Sequence, residues 1–311
     1  MHSRQQKRAA NIRNVFPRKL FGQPAFLKPM PTIATKNARV QYWKTGAGPA
    51  VVLVQGAGVI GEGWRPQIDA LRDRFTVAWI DNRGIGQSAV TGGAVTIEDM
   101  AEDVLAVADA EGWTQFHLVG HSMGGLIAQQ MALTAPSRVL SLALLCTFSR
   151  GRQATAMSWP VLVIGIRSRV GTRRMRRRAF VEMVMTDDYL ASVDRDELCE
   201  GLQGLFGRDL ADHPSIIMQQ LRAMRKFDVS SRIGQLATIP TLVLSAERDL
   251  IARPAYGRAL AAAIPGSTYV EFSGAGHAVT IQCAAAVNDI LLEHLQTGTL
   301  DISASDPGSI S

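Results

Sequence analysis

The sequence predicts an α/β protein with a mostly parallel central sheet, flanking helices and a helical cap inserted between two strands. Three observations predict this class. Short apolar runs end at Gly, Asn or Asp, helical runs separate them, and one long helical stretch interrupts the alternation. The chain has 311 residues, of which 47% are hydrophobic and 19% are charged. This composition permits a substantial core and excludes disorder over most of the chain.

Buried parallel strands are predicted in the first half of the chain. Each is a short apolar run bounded by turn residues, as expected for strands that are covered on both faces. An additional strand is expected before them, at about Val40–Trp43. The predicted runs are Val51–Gln55, Thr76–Asp81, Phe116–Gly120 and Val139–Cys146.

A helix between two of these strands is predicted over Thr96–Glu111. Thr96 and Asp99 have the spacing of a helix-capping pair. Strand, helix and strand in this order predict parallel pairing through right-handed crossovers. The apolar residues that share one helical face are Ile97, Met100, Val104, Leu105 and Ala108.

The alternation stops between about 150 and 235, where the pattern is helical and rich in Met and Arg. The run at 161–166 is ambiguous between strand and helix. A helical insertion between two strands predicts a cap over the carboxyl edge of the sheet.

Strands resume at Thr241–Ser245 and Ser267–Phe272, with covering helices at about 254–264 and 278–296. The order of elements therefore predicts four parts. They are a basic N-terminal arm at 1–37, a core at 38–149 and 236–297, the cap at 150–235 and a flexible tail at 298–311.

Basic residues are concentrated in two stretches. The net charge is +6, and residues 1–61 hold ten Lys or Arg and no acid before Glu62. We expect a solvated tail and one charged helix face, with no nucleic-acid binding, because no zinc-finger spacing or RNA-binding aromatic signature accompanies the charge. An organelle transit peptide is an open alternative for the start of the chain. The second cluster is Arg167, Arg169, Arg173, Arg174, Arg176, Arg177 and Arg178.

Cysteine content and hydropathy predict the compartment. The three cysteines, Cys146, Cys199 and Cys283, have no CxxC spacing, which favours a reducing environment. No apolar stretch approaches the length of a membrane span, and the N-terminus lacks the apolar segment of a secretory signal. We therefore expect a cytoplasmic protein without stable membrane insertion. The oligomeric state is not predicted.

Gly56–Gly61 matches the dinucleotide-binding spacing GxGxxG after a strand, and Asp81 ends the next strand. Two features oppose this interpretation. Another Gly and a Pro follow where the helix of that motif should begin, and Asp81 opens a glycine-rich loop that ends at Ser88. A nucleotide-dependent enzyme is therefore a minor alternative.

A second motif, Gly120-His121-Ser122-Met123-Gly124, predicts a nucleophile elbow. A strand runs directly into it and an amphipathic helix leaves it, which is the strand–turn–helix context that this GxSxG motif requires. Side chains at the two flanking glycines would collide with the neighbouring strand and helix. Ser122 would then stand exposed at a helix N-terminus, where a developing negative charge is favoured.

A serine nucleophile needs a base, and the base needs an acid to orient it. His277 is the best placed of the six histidines because it follows the last strand in a glycine-rich loop. His213, in the predicted cap, is a lesser alternative. Asp249 and Glu247 both follow the strand at 241–245, and Asp249 is favoured because it lies farther from the sheet.

The order Ser122, Asp249, His277, each after a strand, resembles the α/β-hydrolase fold family over about residues 40–297. The similarity is greatest to small-molecule esterases and enol-lactonase-like members with a helical cap. It implies an oxyanion hole formed by the backbone N–H groups of Ala57 and Met123. Gln55 departs from the family, which usually has His before the first glycine of this loop.

The resemblance implies a serine hydrolase that cleaves a carboxylic ester or lactone of a small or medium-sized substrate. No cofactor and no metal is expected. A non-catalytic ligand receptor on the same fold is an open alternative, as is a carbon–carbon bond hydrolase or perhydrolase with the same triad. The cap residues expected to line an apolar substrate pocket include Trp159, Met183, Phe206 and Met218.

Overall fold

The computed structural model describes residues 32–154 and 159–303, except the side chains of 154, 159, 160 and 298–303. It confirms the predicted α/β class with a mostly parallel central sheet. The strands are β1 (Ile33–Thr35), β2 (Ala38–Val40), β3 (Tyr42–Thr45), β4 (Ala50–Val54), β5 (Thr76–Ile80), β6 (Ala89–Val90), β7 (Phe116–His121), β8 (Val139–Leu145), β9 (Thr241–Ala246) and β10 (Thr268–Phe272).

The central sheet has seven strands in the order β10-β9-β8-β7-β4-β5-β3. Neighbours pair in parallel, except β3, which is antiparallel to β5. β1, β2 and β6 form a separate small antiparallel sheet. The loops after β4, β7, β9 and β10 therefore lie at one edge, as the carboxyl ends of parallel strands must.

The strands that precede these loops begin and end within one residue of the sequence prediction, and three of them, β4, β7 and β9, are uninterrupted buried runs. Residues 40–43, which are predicted as one strand, belong to two strands, β2 and β3. The chain leaves the small sheet at Gln41, whose N–H bonds to Ser88 and whose carbonyl accepts from Asp81, and then joins the central sheet as β3. β1 lies inside the stretch 1–37 that was predicted as an arm, because it pairs with β2.

One of the helices that cover the sheet begins at the N-terminal capping pair that the sequence predicts. Thr96 Oγ1 accepts from Asp99 N–H at 3.0 Å at the start of α2, as the capping pair predicts. The helix predicted at 278–296 is two helices, and the second enters the stretch predicted as a tail. These helices are α1 (Arg65–Leu71), α2 (Ile97–Ala110), α3 (Met123–Thr134), α10 (Pro254–Ala263), α11 (Val279–Gln282) and α12 (Ala284–Ser303).

Six α-helices of the described residues lie between β8 and β9, in the stretch predicted as the cap. The ambiguous run at 161–166 is helical, inside α5. Part of the stretch belongs to a second apolar cluster, which includes Leu198, Leu202 and Phe206 together with Ala278 and Ile281 at α11. The six are α4 (Gly151–Ala154), α5 (Trp159–Arg167), α6 (Arg173–Val184), α7 (Asp187–Ala191), α8 (Arg195–Phe206) and α9 (Ser215–Lys226).

The second arginine cluster lies largely on α6 and is paired with acids of the same stretch. Arg173 and Arg177 bond to Asp209, while Arg174 and Arg178 bond to Asp196. Exposed pairs of this kind add little stability, but they neutralise much of the local positive charge. This arrangement matches a charged helix face. Within the described residues, each helix is too short or too polar to cross a bilayer.

A buried histidine, His117, and a partly buried one, His294, predict a loss of stability at acid pH. Burial lowers the pKa of His117 and of His294 from 6.5 to about 4. Between these values the unfolded chain binds protons that the folded chain does not, so the free energy of unfolding falls as the pH drops from 6.5 towards 4. Each shift corresponds to about 3 kcal/mol.

Urea unfolding of the wild type and His117→Gln at about pH 7 and about pH 4.5 measures this dependence. The variant should lose about 2–3 kcal/mol less than the wild type over that interval, whatever the replacement costs at neutral pH. Other titrating groups cancel because both chains are compared at the same pH. Equal losses in the two chains would contradict the assignment to His117.

Candidate active site

Ser122 occupies a sharp turn between β7 and α3. Its φ is 55° and its ψ is −119°, a conformation that costs a residue with a side chain about 1–3 kcal/mol. A Cβ on Gly120 would lie 2.3 Å from the Gly124 carbonyl oxygen, and a Cβ on Gly124 would lie 2.0 Å from the Val54 carbonyl oxygen. The predicted steric reason for the two glycines is confirmed.

Neighbouring backbone holds this strained turn in place. The Ser122 N–H donates to the Leu145 carbonyl at 2.9 Å, and Thr147 Oγ1 donates to the Ser122 carbonyl at 2.8 Å. Both partners belong to β8 or directly follow it. The backbone of Ser122 is thereby held at the N-terminus of α3, beside the carboxyl edge of the sheet.

His277 and Asp249 meet at the same edge. His277 Nδ1 and Asp249 Oδ2 are 2.7 Å apart, and both residues are buried. Burial alone would raise the pKa of Asp249, but His277 and the N–H groups of Ile251 and Ala252 together hold the pKa below its usual value. An ionised Asp249 fixes the tautomer of His277 with a proton on Nδ1, which leaves Nε2 free to accept a proton.

Glu247, the other acid after β9, is exposed and bonds to Ser273 and to the Gly274 N–H. It does not contact His277. His213, the alternative base, bonds through Nε2 to the Ser168 carbonyl within the cap.

The Ser122 hydroxyl forms no hydrogen bond with His277 in the described part of the chain. The two residues are nevertheless neighbours through His121, which directly precedes Ser122. Its Nε2 is 2.9 Å from the His277 carbonyl oxygen, and the two imidazole rings are 4.8 Å apart. Burial lowers the pKa of His121 to about 3, so it stays neutral and donates this bond. Bonds between a nucleophile and its base are often open without substrate and tighten when it binds.

Two backbone N–H groups near Ser122 have no acceptor among the described residues, that of Ala57 in the loop after β4 and that of Met123 at the start of α3. The N–H groups on either side of Ala57 are both occupied. Gly56 N–H donates to Gln55 Oε1 at 2.9 Å, and Gly58 N–H donates to Gln220 Oε1 at 2.9 Å. A Cβ on Gly56 would lie 3.2 Å from the Cβ of Ser122, so this loop runs directly over the serine.

Asp81 stabilises the loop after β5 through hydrogen bonds to two backbone N–H groups. Its two carboxylate oxygens accept from the N–H groups of Gly61 at 2.8 Å and Gln87 at 2.9 Å. Burial raises its pKa to about 6. A carboxylate engaged in this way is not directed outward to a ribose, which opposes the nucleotide-binding alternative.

The residues predicted to line the substrate pocket differ in their exposure. Phe206 is buried in the cap cluster, where its ring meets that of Phe180 edge-on at 5.2 Å. Met183 packs against the same cluster. Met218 is 47% exposed. The side chain of Trp159 lies outside the described residues.

Three buried side chains with metal-ligating atoms lie near one another. Ligating atoms of His121, Cys146 and His277 are all within 4.8 Å of each other. His277 Nδ1 is bonded to Asp249, and His121 Nε2 contacts a backbone carbonyl. These partners suit proton transfer by His277.

Two residues of the stretch between β8 and β9 contact the loop after β4 and were not identified from the sequence. Gln220 accepts from the Gly58 N–H, and Arg208 donates through Nε to the Gly58 carbonyl at 3.3 Å. They lie 162 and 150 positions from Gly58 in the chain. A Gln on a cap helix carries no local pattern that would have indicated this contact.

Comparisons with known proteins agree with this architecture. Residues 49–282 match the family model described as alpha/beta hydrolase fold. A putative carbamate hydrolase, RutD, of Variovorax paradoxus is 32% identical over 252 residues, covering 80% of this chain and 92% of that protein. The enol-lactonase of Burkholderia xenovorans has a TM-score of 0.72 and 27% identity, covering 86% of this chain and all of that one. A thermophilic esterase of Thermogutta terrifontis has a TM-score of 0.71 and 26% identity, covering 87% and 98%.

Proposed function

The chain belongs to the α/β-hydrolase fold family, and from that premise we propose that it is a serine hydrolase acting on a carboxylic ester or lactone. The substrate is small or medium-sized, and the reaction proceeds through an acyl-enzyme on Ser122. The observation that carries the proposal is the buried 2.7 Å contact between His277 Nδ1 and Asp249 Oδ2, next to a serine held in a strained turn.

In the first half of the reaction, the Ser122 hydroxyl rotates towards His277 and gives its proton to Nε2 as its oxygen attacks the carbonyl carbon. Asp249 stabilises the imidazolium that forms. The oxygen of the tetrahedral intermediate lies between the N–H groups of Ala57 and Met123. The imidazolium then protonates the departing alkoxide, which leaves as the alcohol.

In the second half, His277 removes a proton from a water molecule, and the resulting hydroxide attacks the acyl-enzyme. Collapse of the second intermediate breaks the bond to Ser122, returns the proton to its oxygen and releases the acid. Only proton transfers and acyl transfer are involved, so this chemistry needs no metal or organic cofactor.

A second candidate is carbamate hydrolysis with the same residues. The similarity to the putative carbamate hydrolase RutD favours it. The intrinsic reactivity of the carbonyl favours esters and lactones. The site offers the scissile carbonyl two backbone N–H groups, and in a carbamate the nitrogen lone pair makes that carbonyl less electrophilic.

A substrate panel tests the proposal. Steady-state rates are measured for p-nitrophenyl acetate, butyrate and octanoate, a γ-lactone and an N-alkyl p-nitrophenyl carbamate, together with the absorption spectrum of the purified protein. We expect ester or lactone turnover with kcat/KM at least about tenfold above that for the carbamate and no cofactor band. A preference for the carbamate would support the second candidate. Labelling of one serine without turnover would indicate a receptor, and a bound flavin or nicotinamide band would overturn the proposal.

A further inference from the structure

Gly58 ends the loop after β4 (residues 55–58), which we call the oxyanion loop, and the cap bonds to both of its backbone polar groups. Its N–H donates to Gln220 Oε1 on α9 at 2.9 Å, and its carbonyl accepts from Arg208 Nε, after α8, at 3.3 Å. The backbone at Gly58 has a φ of 73°, which glycine tolerates, and both of its polar groups bond to cap side chains. The position of the loop therefore depends on the cap.

The side-chain amide of Gln220 uses both of its polar atoms to bond to two loops. Its side chain is fully buried, and its Nε2 donates to the Arg83 carbonyl at 3.3 Å while its Oε1 accepts from Gly58. One amide thus joins the oxyanion loop to the loop after β5. Neighbouring side chains of α9 pack against the same two loops, since a Cβ on Gly58 would lie 2.9 Å from Ile217 and one on Gly84 would lie 2.4 Å from Ile216.

Arg208 reinforces the contact from the other side. The guanidinium also donates to the carbonyls of Asp209 and Asp212 and lies over the Phe180 ring at 5.8 Å. Burial lowers its pKa, and in the described residues it makes no ion pair with a carboxylate. Its hydrogen bonds therefore go to backbone carbonyls, and one of these belongs to the oxyanion loop.

We propose that Gln220, with Arg208, is a positioning residue through which the seated cap sets the direction of the Ala57 N–H. Gln55 and Gln220 occupy the N–H groups of Gly56 and Gly58, so the intervening Ala57 N–H is left for the reacting oxygen. The oxyanion hole is complete only when α9 lies on the loop. This inference rests on the proposed function, because it assigns a role in that reaction.

The consequence is kinetic. A donor that is misdirected by about 1 Å loses most of its effect on the transition state and has little effect on the ground state. Replacing Gln220 should therefore lower kcat and leave KM nearly unchanged. The variants are Gln220→Met, which removes both polar groups at similar length, and Gln220→Glu, which keeps an acceptor for Gly58. Gln219→Met, at the exposed neighbouring position of α9, is the matched control.

Active sites are counted first by stoichiometric labelling with a fluorophosphonate, so that misfolded protein is excluded from the rate. We expect Gln220→Met to lower kcat per labelled site by about 10- to 100-fold with KM within about twofold. Gln220→Glu should stay within about tenfold of the wild type, and Gln219→Met should match it. The Ki of an alkylboronic acid, whose tetrahedral adduct places an oxygen in the oxyanion hole, should rise by the same factor as kcat falls.

Unchanged kcat per site in Gln220→Met, with the wild type active, would overturn this inference and leave the proposed function standing. A lower labelled fraction with a normal rate per site would assign Gln220 a purely structural role and would also overturn it. A wild type that is labelled at Ser122 but hydrolyses nothing would overturn the proposed function, and with it the role given to Gln220.

Discussion

Ser122→Ala is expected to lower kcat for p-nitrophenyl butyrate by at least about 10⁴-fold, with no loss of stability. Removing the nucleophile of a serine triad removes nearly all catalysis, because the remaining groups have no acyl acceptor to activate. Alanine can occupy the same backbone conformation at a cost similar to that of serine, since both carry a Cβ at the strained φ of 55°. The fold should therefore persist.

Steady-state hydrolysis, together with mass spectrometry after fluorophosphonate treatment, measures the effect. The wild type should gain the mass of one phosphonyl group on Ser122, and the variant should gain none. Ser273→Ala is the matched control, because Ser273 is exposed in the loop that leads to His277 and bonds to Glu247. It should change kcat by less than about twofold. Retention of more than a tenth of the activity in Ser122→Ala would remove Ser122 as the nucleophile.

Gly124→Ala is expected to prevent stable folding. The added Cβ would lie 2.0 Å from the Val54 carbonyl oxygen, 2.6 Å from its carbon and 2.9 Å from the Gln55 carbonyl oxygen. All three atoms belong to the backbone at the end of β4, so no side-chain rotation relieves the clash. Separating α3 from β4 would disturb the centre of the sheet, and we expect a loss of at least about 4 kcal/mol.

Gly204→Ala provides the control, because this glycine lies inside α8 and an added Cβ would have no atom within 4 Å. It should stabilise the protein by up to about 1 kcal/mol through helix propensity. Soluble expression, circular dichroism and urea unfolding distinguish the two variants. If Gly124→Ala unfolds within about 1 kcal/mol of the wild type, the packing described for the elbow is wrong.

The residues of the candidate site were predictable to different degrees. Ser122 and its glycines form a local motif, because the turn, the strand and the helix that shape it are contiguous in the chain. Asp249 was separable from Glu247 only by its position after β9, and the structure brings Asp249, not Glu247, to His277. The pocket residues were predicted from composition alone. The cap is rich in Met throughout, so composition does not indicate which side chain faces inward, and Met218 is half exposed.

The sequence by itself determined the order of strands and helices along the chain, the nucleophile elbow and the parallel pairing of the sheet. These follow from contiguous patterns: apolar runs bounded by turn residues, and glycines where the backbone leaves no space for a Cβ. Only the tertiary structure decided how the cap lies on the sheet and that Gln220 and Arg208 hold Gly58. The physical reason is that a hydrogen bond between residues more than a hundred positions apart depends on how whole helices pack. No short stretch of sequence encodes that packing.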